Sequence, residues 1–229
     1  MNILVACEES QAVTIEIRKL GHNAFSCDII KCSGGHPEWH IMQDVLPLLN
    51  GNCVFKTMDG TEHKVEGAWD MIIAFPPCTY LTVTGNRWFD VVKYGTTAQE
   101  RWIERCKAIV FFLRIYCKKI AIENPIGCMN TWFRKPDQII HPYYFATSEN
   151  DENCERKSTC LWLKGVKPLE YSIKFQPRVI KYKNGKGTDS PWHLNTMGLP
   201  KEERAKQRSK TFPGIAKAMA EQWAGVADA

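Results

Sequence analysis

The stretch that most constrains the fold is Met71–Phe75, an apolar run of strand length that ends abruptly at Pro76 and Pro77. A short, bounded apolar run is typical of a strand buried on both faces, as in a parallel sheet. Neither proline can donate a hydrogen bond to a sheet, so the strand has to end there. Cys78 is therefore predicted just beyond the carboxyl end of a central strand, where ligands and reactive groups collect in open α/β sheets. An incidental thiol after a proline exit is the alternative.

The segments before this strand have the pattern of a nucleotide-binding unit. Residues 2–7 are predicted as a buried strand, residues 12–20 as a helix closed by Gly21, and residues 24–27 as a second strand ending at Asp28. Strand, turn, helix and strand, with an acid at the tip of the second strand, is the usual opening of a doubly wound sheet. The sequence predicts a single α/β domain with a Rossmann-like, mostly parallel sheet.

The rest of the chain alternates predicted elements with irregular segments. We predict a hairpin insertion over 52–67, a long helix over 98–117, buried strands over 69–75, 119–122 and 159–163, and a last helix that begins near Pro213. Residues 31–45, 79–95, 126–158 and 165–210 are predicted to be irregular. The apolar residues at helical spacing in the long helix are predicted to form its core-facing side: Trp102, Cys106, Ile109, Val110, Leu113 and Cys117.

Composition narrows the class of protein. The chain has no apolar run long enough to span a membrane and its first residues lack the layout of a signal peptide, so a cytoplasmic location is predicted. Its ten cysteines are accordingly expected to be reduced. Cys27, Cys32, His36 and His40 are the best zinc candidates, but their spacing fits no standard pattern and no metal is predicted. The net charge of +5 permits a polyanionic partner such as nucleic acid without requiring one.

The turn after the first strand indicates which cofactor the unit would take. It reads Cys-Glu-Glu-Ser-Gln and lacks the glycines that cradle a pyrophosphate, and its two carboxylates would repel phosphates. A cofactor with a ribose and a cationic or amino-acid end fits better, and S-adenosylmethionine is such a cofactor. Asp28 is then the candidate for the ribose hydroxyls and Asp44 for the adenine amine.

Cys78 and Glu123 together provide the parts for one particular reaction. Glu123 follows a buried strand and precedes Asn124-Pro125, so an acid and a proline mark a second strand end. A thiolate that adds to carbon 6 of a pyrimidine makes carbon 5 nucleophilic, provided that the ring nitrogen gains a proton. A glutamic acid can supply that proton. Carbon 5 can then accept a methyl group.

With these motifs the chain resembles the DNA cytosine-5 methyltransferase family, in particular a compact phage and prophage branch. Pro76-Pro77-Cys78 is similar to the family's Pro-Cys motif and Glu123-Asn124 to its Glu-Asn-Val motif, with Pro125 in place of valine. The resemblance implies that Cys78 is the nucleophile and that Glu123 contacts a cytosine flipped out of duplex DNA. It also implies S-adenosylmethionine as the cofactor. The implied cofactor-binding residues are Ala6, Cys7, Glu8, Ser10, Asp28, Ile29, Asp44, Val45, Phe75 and Pro76.

The chain departs from the family pattern in three respects. The Phe-x-Gly-x-Gly turn is missing, and no Gln-x-Arg-x-Arg motif is legible, so Arg156 and Lys157 are the candidates for its charge role. The chain is also too short for a large target-recognition domain. Residues 126–158 and 170–210 are therefore expected to contact DNA. The candidate DNA-binding residues are Arg87, Trp88, Arg134, Lys135 and Arg208.

Two alternatives remain open at this point. The substrate could be a free pyrimidine nucleotide modified at carbon 5. The protein could also be a catalytically silent DNA-binding or anti-restriction protein that keeps the fold, which the unusual turn at Cys7–Gln11 permits.

Overall fold

The computed structural model describes residues 1–82, 86, 88–182 and 187–227. In chain order its strands are β1 Asn2–Ala6, β2 Asn23–Asp28, β3 His40–Met42, β4 Cys53–Lys56, β5 Glu62–Val65, β6 Met71–Ala74, β7 Lys119–Pro125, β8 Gln138–Ile140, β9 Thr159–Lys164, β10 Ile180–Lys181 and β11 Thr188–Asp189. Its helices are α1 Ala12–Lys19, α2 Val91–Arg114, α3 Met129–Trp132, α4 Pro191–Met197, α5 Lys201–Ser209 and α6 Pro213–Met219, which continues as a π-helix over Ala220–Ala224. Short 3₁₀ helices cover Pro37–Trp39, Leu46–Leu48 and Pro142–Phe145.

A central seven-stranded sheet has the order β3-β2-β1-β6-β7-β9-β8. The first five of these strands run parallel, and β9 runs antiparallel to both β7 and β8. From β1 the chain first adds β2 and β3 on one side and then returns to add β6 and β7 on the other side. The position beside β1, where the direction of strand addition reverses, is the topological switch point of a doubly wound fold. The predicted Rossmann-like α/β fold is confirmed at this level.

The apolar run of β6 is buried because each face of the sheet has its own core. Met71 and Ile73 face a cluster with α1 and α6, and Ile72 and Ala74 face a cluster with α2 and the β4–β5 hairpin. Side chains alternate along a strand, so a strand covered on both sides needs an apolar residue at every position. The predicted antiparallel hairpin is confirmed as well.

The structure corrects several predicted boundaries. A sheet strand, β3, lies within 31–45, and α2 begins at Val91 rather than at residue 98. The segment 126–158 contains α3 and β8, and 165–210 contains α4 and α5. Within the described residues, no helix is sufficiently long and apolar to cross a membrane.

The predicted core-facing side of α2 is wrong in part: Cys117 is buried and Ile109 packs against the core, but three of the other residues do not face it. Cys106, Val110 and Leu113 are exposed, and the helix buries Ala98, Arg105, Phe111 and Phe112 instead. Gly95, with φ of 52°, interrupts the first turns of the helix and changes the direction from which it reaches the sheet.

Candidate active site

The register of the parallel strands brings the predicted site residues to one edge of the sheet. Cys27, Ala6, Ala74 and Ile122 lie side by side in β2, β1, β6 and β7. The residues that follow them, at the carboxyl ends, are Asp28, Cys7, Phe75 and Glu123. Predicted cofactor residues and predicted catalytic residues therefore occupy adjacent halves of the same edge.

Cys78 lies in an environment shared with Glu123 and Lys157. Its side chain is partly buried, and burial is the main reason that the pKa of its thiol lies above the ordinary value. The Glu123 carboxylate raises the same pKa further, while the Lys157 ammonium lowers it. These opposing effects place an acid and a cation within electrostatic reach of the thiol.

Glu123 is a partly buried residue whose carboxyl group is desolvated. Burial raises the pKa of its carboxyl group, against the opposing effects of the Lys157 ammonium and a hydrogen bond from Thr159. A raised pKa favours the protonated acid, which is the form that can donate a proton. The next residue, Asn124, is buried and donates a hydrogen bond of 2.7 Å to the carbonyl of Pro76. The end of β7 is thus tied directly to the Pro-Pro-Cys turn.

Lys157, and not its neighbour Arg156, reaches the thiol–carboxyl pair. The Lys157 Nζ donates to the carbonyl of Arg208 at 3.1 Å and lies 5.6 Å from the ring centroid of Trp192. The exposed Arg156 extends away to the hydroxyl of Thr188, at 3.5 Å. Consecutive residues of an extended segment point to opposite sides, so only one of the two can face the site.

The segment after Cys78 is hydrogen-bonded to the loop that follows β7. The Cys78 carbonyl accepts hydrogen bonds from the amides of Leu81 and Thr82, and the Cys128 amide donates to the Leu81 carbonyl at 2.8 Å. A Cβ on Gly127 would lie 2.0 Å from that carbonyl oxygen. Only glycine permits so close an approach of the two backbones.

Arg105 of α2 anchors the same segment and was not predicted. Its side chain, only 3% exposed, donates to the Tyr80 carbonyl at 2.6 Å and to Asn86 Oδ1 at 2.8 Å. Its guanidinium also lies 3.6 Å from the ring centroid of Phe89. In the sequence, Arg105 lies at helical spacing from Ala98 and Phe112, on the face that α2 buries. The pattern alone did not identify that face, so the sequence did not indicate that Arg105 is buried.

The cofactor half of the edge is a cluster of acids around Cys7. Burial raises the pKa of the Cys7 thiol, and the nearby Asp28 and Asp44 raise it further. Cys7 itself has a left-handed backbone, with φ of 60°, which turns the chain sharply after β1. Asp28 accepts a hydrogen bond from the Ile30 amide and Asp44 one from the Leu46 amide.

The other predicted cofactor residues differ in exposure, and some lie at the surface while others lie in the core. Ile29, beside Asp28, is 75% exposed, whereas Ala6 and Val45 are buried. Phe75 is partly buried, and Pro76 is held by Asn124. An exposed isoleucine beside a strand-end acid provides an apolar surface on which an adenine could lie.

Glu8 and Ser10 face the first helix. The buried carboxylate of Glu8 accepts hydrogen bonds from the amides of Val13 and Thr14 and from the Thr14 hydroxyl, at 2.7, 3.3 and 2.6 Å. Burial raises its pKa to about 7. The Ser10 hydroxyl accepts from the Ala12 amide at 3.5 Å. Both side chains complete the amino end of α1, so their contacts do not support the predicted cofactor role.

Glu9 is the acid of this turn that α1 does not use, and it was not among the predicted site residues. It is 8% exposed, and its Oε2 is buried with no hydrogen-bond partner among the described residues. Its Oε1 lies 3.9 Å from the Nζ of Lys206 in α5. A buried carboxylate oxygen without a donor fits a ligand with a cationic group, which agrees with the cofactor class predicted from the sequence.

The predicted DNA-binding residues differ in their surroundings, and the structure describes all of them except one. Arg87 lies outside the described residues. Trp88 is 39% exposed, with the Arg101 guanidinium 5.5 Å from its ring centroid. The nearby Trp132 stacks on Trp102, with ring centroids 5.6 Å apart, and remains 46% exposed.

Arg134 and Arg208 are engaged within the protein. Arg134 makes a two-pronged ion pair with Asp137 and bonds the Leu163 carbonyl, near the amino end of β7 and away from Cys78. The adjacent Lys135 is exposed. Arg208 donates to Thr196 Oγ1 at 2.7 Å and so ties α5 to α4. These contacts give both arginines structural roles.

Among the described residues, no group of histidines, cysteines or acids has the geometry to hold a metal ion. Of the zinc candidates, His40 uses both ring nitrogens, toward the Ser26 hydroxyl and the Ile30 carbonyl. Cys27 donates to the Gln43 carbonyl.

Neither models of known protein families nor curated proteins gave a match to this chain. The fold and the site therefore define its class by themselves. It is a Rossmann-like α/β protein whose strand ends combine a thiol, a buried carboxyl group and an ammonium beside a cluster of acids.

Proposed function

We propose that this protein transfers the methyl group of S-adenosylmethionine to carbon 5 of cytosine in DNA, through a covalent adduct on Cys78. The observation that most supports the proposal is the arrangement of two neighbouring strand ends: Asn124 ties the end of β7 to Pro76, two residues before Cys78, and Glu123 and Lys157 line one small cavity. Cysteine and glutamate at these two strand ends are the pair that the sequence resemblance implies. The proposal rests on their chemistry and on that resemblance.

The residues of the site divide the reaction between them. The Cys78 thiolate forms a bond to carbon 6 of the cytosine, and Glu123 gives its proton to the ring nitrogen, so that electron density moves to carbon 5. When bound, S-adenosylmethionine would supply an electrophilic methyl group to carbon 5 and would leave as S-adenosylhomocysteine. A base then removes the proton from carbon 5, the electron pair of that bond restores the ring double bond, the sulfur leaves carbon 6 as thiolate, and the ring nitrogen returns its proton to Glu123.

Of the two candidates for the charge role, Arg156 and Lys157, it is Lys157 that has a role in this scheme. Its ammonium favours the thiolate of Cys78 and counters the effect of burial on both reacting groups. It is held by the Arg208 carbonyl and lies over the rings of Trp192 and Phe212. Lys157 therefore serves as the fixed positive charge of the site.

The cofactor would lie across the ends of β1, β2 and β3. Asp28 would hold the ribose hydroxyls, Asp44 the adenine amine, and Ile29 the face of the adenine ring. The resemblance implies the class I fold of S-adenosylmethionine-dependent methyltransferases, and the sheet is compatible with it.

The proposal is tested by offering the protein a radiolabelled methyl donor with either duplex DNA or dCMP. We expect label in DNA, recovered as 5-methylcytosine, and none with Cys78→Ser, although that variant should fold and bind the donor. Label in dCMP alone would favour a free nucleotide as the substrate. DNA binding without donor binding would favour a silent protein that keeps the fold.

A further inference from the structure

We infer that Glu9 binds the α-ammonium group of the methyl donor, and that Lys206 occupies this position until the donor displaces it and releases helix α5. The inference rests on the proposed function, because it assigns a recognition residue and a conformational response to the proposed cofactor site. It concerns two residues that neither the sequence motifs nor the resemblance identified.

The carboxylate of Glu9 has the features of an acceptor that awaits a ligand. The residue is 8% exposed, and its Oε2 has no hydrogen-bond partner among the described residues. Leaving a buried charged acceptor unpaired costs free energy, which a bound cation with N–H donors would recover. The preceding Glu8 is satisfied by α1, so only Glu9 of the two adjacent acids remains available.

The position of Glu9 suits the amino-acid end of the donor. It lies in the turn between β1 and α1, and its carbonyl accepts a hydrogen bond from the Ser33 amide at 2.9 Å. Asp28, the candidate ribose ligand, lies close to this turn, because the amide of Glu8 donates to the carbonyl of Cys27 at 3.1 Å. A ligand that bonds Asp28 through its ribose could therefore reach Glu9 through the opposite end.

Lys206 places an ammonium group near Glu9, and the α-amino group of the methyl donor is also an ammonium. Its Nζ is 3.9 Å from Oε1 of Glu9, close enough for an ion pair but too far for a hydrogen bond. The lysine side chain is 51% exposed, whereas the Glu9 side chain is 9% exposed. The contact is loose, and a donor ammonium in hydrogen-bond contact would replace it.

Helix α5 is built so that this exchange could move it. It buries none of its residues. In the same last turn as Lys206, Arg208 donates a hydrogen bond to Thr196 of α4, and the Arg208 carbonyl accepts one from the Lys157 ammonium. One short helix thus contacts both the cofactor half, through Lys206, and the catalytic half, through Arg208. Loss of the Lys206 contact would remove one of the few contacts that this last turn makes among the described residues and leave it held through Arg208.

Isothermal calorimetry with two ligands tests the binding role. S-adenosylmethionine carries the ammonium, and 5′-methylthioadenosine keeps the nucleoside and sulfur but lacks the amino-acid end. We expect Glu9→Gln to weaken S-adenosylmethionine about 10- to 100-fold, the range for a lost hydrogen bond to a charged group, without changing the affinity for methylthioadenosine. Lys206→Met should tighten S-adenosylmethionine alone. The matched control, Lys201→Met on the same helix, should change neither affinity.

Hydrogen exchange of residues 201–209 tests the release of α5. Exchange should become faster when S-adenosylmethionine binds and should stay unchanged with methylthioadenosine. If Glu9→Gln weakens both ligands equally, or Lys206→Met tightens neither, the inference is wrong while the proposed function stands. If the wild-type protein binds neither ligand, both fail.

Discussion

At the scale of single residues, the reactivity of the site depends on three ionisable groups that set one another's charge. Burial raises the pKa of both Cys78 and Glu123, so both groups favour their neutral forms. Lys157 acts in the opposite direction on each. A neutral acid beside a thiol that ionises with help from a cation is the combination that the proposed addition requires.

The pH at which Cys78 becomes reactive should move with its neighbours. Glu123→Gln removes a negative charge, so the pKa of the thiol should fall and alkylation by iodoacetamide should begin at lower pH. Lys157→Met removes the positive charge and should shift alkylation to higher pH. Peptide mass spectrometry across a pH series distinguishes Cys78 from the other cysteines. Equal profiles in all three proteins would contradict the electrostatic coupling described above.

Arg156 and Lys157 should differ sharply in their effect on methyl transfer. Lys157→Met should lower the rate about 10²- to 10³-fold, the usual effect of removing a fixed group that stabilises charge. Arg156→Met should change the rate by less than about threefold relative to the wild-type protein, because interactions of an exposed charge contribute little free energy. Single-turnover rates at saturating donor measure the comparison. A larger loss for Arg156→Met would mean that the wrong residue has been assigned.

The sequence identified some of these residues but not all of them. Cys78 and Glu123 could be predicted because prolines mark both strand ends. The choice between Arg156 and Lys157 could not, because it depends on the Arg208 carbonyl, 51 positions further along the chain. Glu9 was missed because nothing in the sequence shows which of two adjacent acids completes α1.

At the scale of elements, α2 contacts the segment that follows Cys78, the proposed nucleophile. Arg105→Met should leave the sheet folded but release Tyr80 and Asn86, which lie just beyond Cys78. We expect the methyl-transfer rate to fall about tenfold or more, since small displacements of a reacting group are costly, and the affinity for S-adenosylmethionine to stay unchanged.

Lys107→Met, on the exposed side of the same helix, is the matched control and should be neutral. Limited proteolysis should show earlier cleavage near Tyr80 in Arg105→Met only. A variant with full activity and unchanged proteolysis would show that Arg105 does not position this segment.

Substitution of the two adjacent acids, Glu8 and Glu9, should have different effects on the free energy of unfolding. Glu8→Ala leaves the first amides of α1 without an acceptor and should lower the free energy of unfolding by about 1–3 kcal/mol. Glu9→Ala removes a buried carboxylate that has one loose ion pair, to Lys206, and one oxygen without a hydrogen-bond partner among the described residues, so it should not lower the free energy of unfolding. Urea unfolding measured without ligand compares the two variants. A larger loss for Glu9→Ala would contradict the assigned roles.

Elements were predictable where a repeating apolar pattern decides the structure. The buried strands and α6 follow such a pattern. The three-residue strands β3 and β8 are too short to show one, and α5 buries no side chain, so its sequence carries no apolar face. The face of α2 was misjudged because Cys106, Val110 and Leu113 also recur at helical spacing yet face solvent.

At the scale of the whole molecule, the switch point beside β1 separates two tasks. The ends of β1, β2 and β3 carry the acids for the proposed cofactor, and the ends of β6 and β7 carry the reacting groups. Parallel strands bring all five ends to one edge, which is why residues 7 to 123 of the chain can meet there.

The central claim, a covalent bond between Cys78 and carbon 6 of a cytosine in DNA, is tested most directly with DNA in which 5-fluorocytosine replaces every cytosine. Fluorine cannot leave carbon 5 as the proton does, so the methylated adduct should stay attached to the protein. We expect a protein–DNA complex that survives denaturation, requires S-adenosylmethionine, maps to Cys78 by peptide mass spectrometry, and is absent with Cys78→Ser. Methylation of ordinary DNA without such a complex, or a complex that persists in Cys78→Ser, would contradict the account.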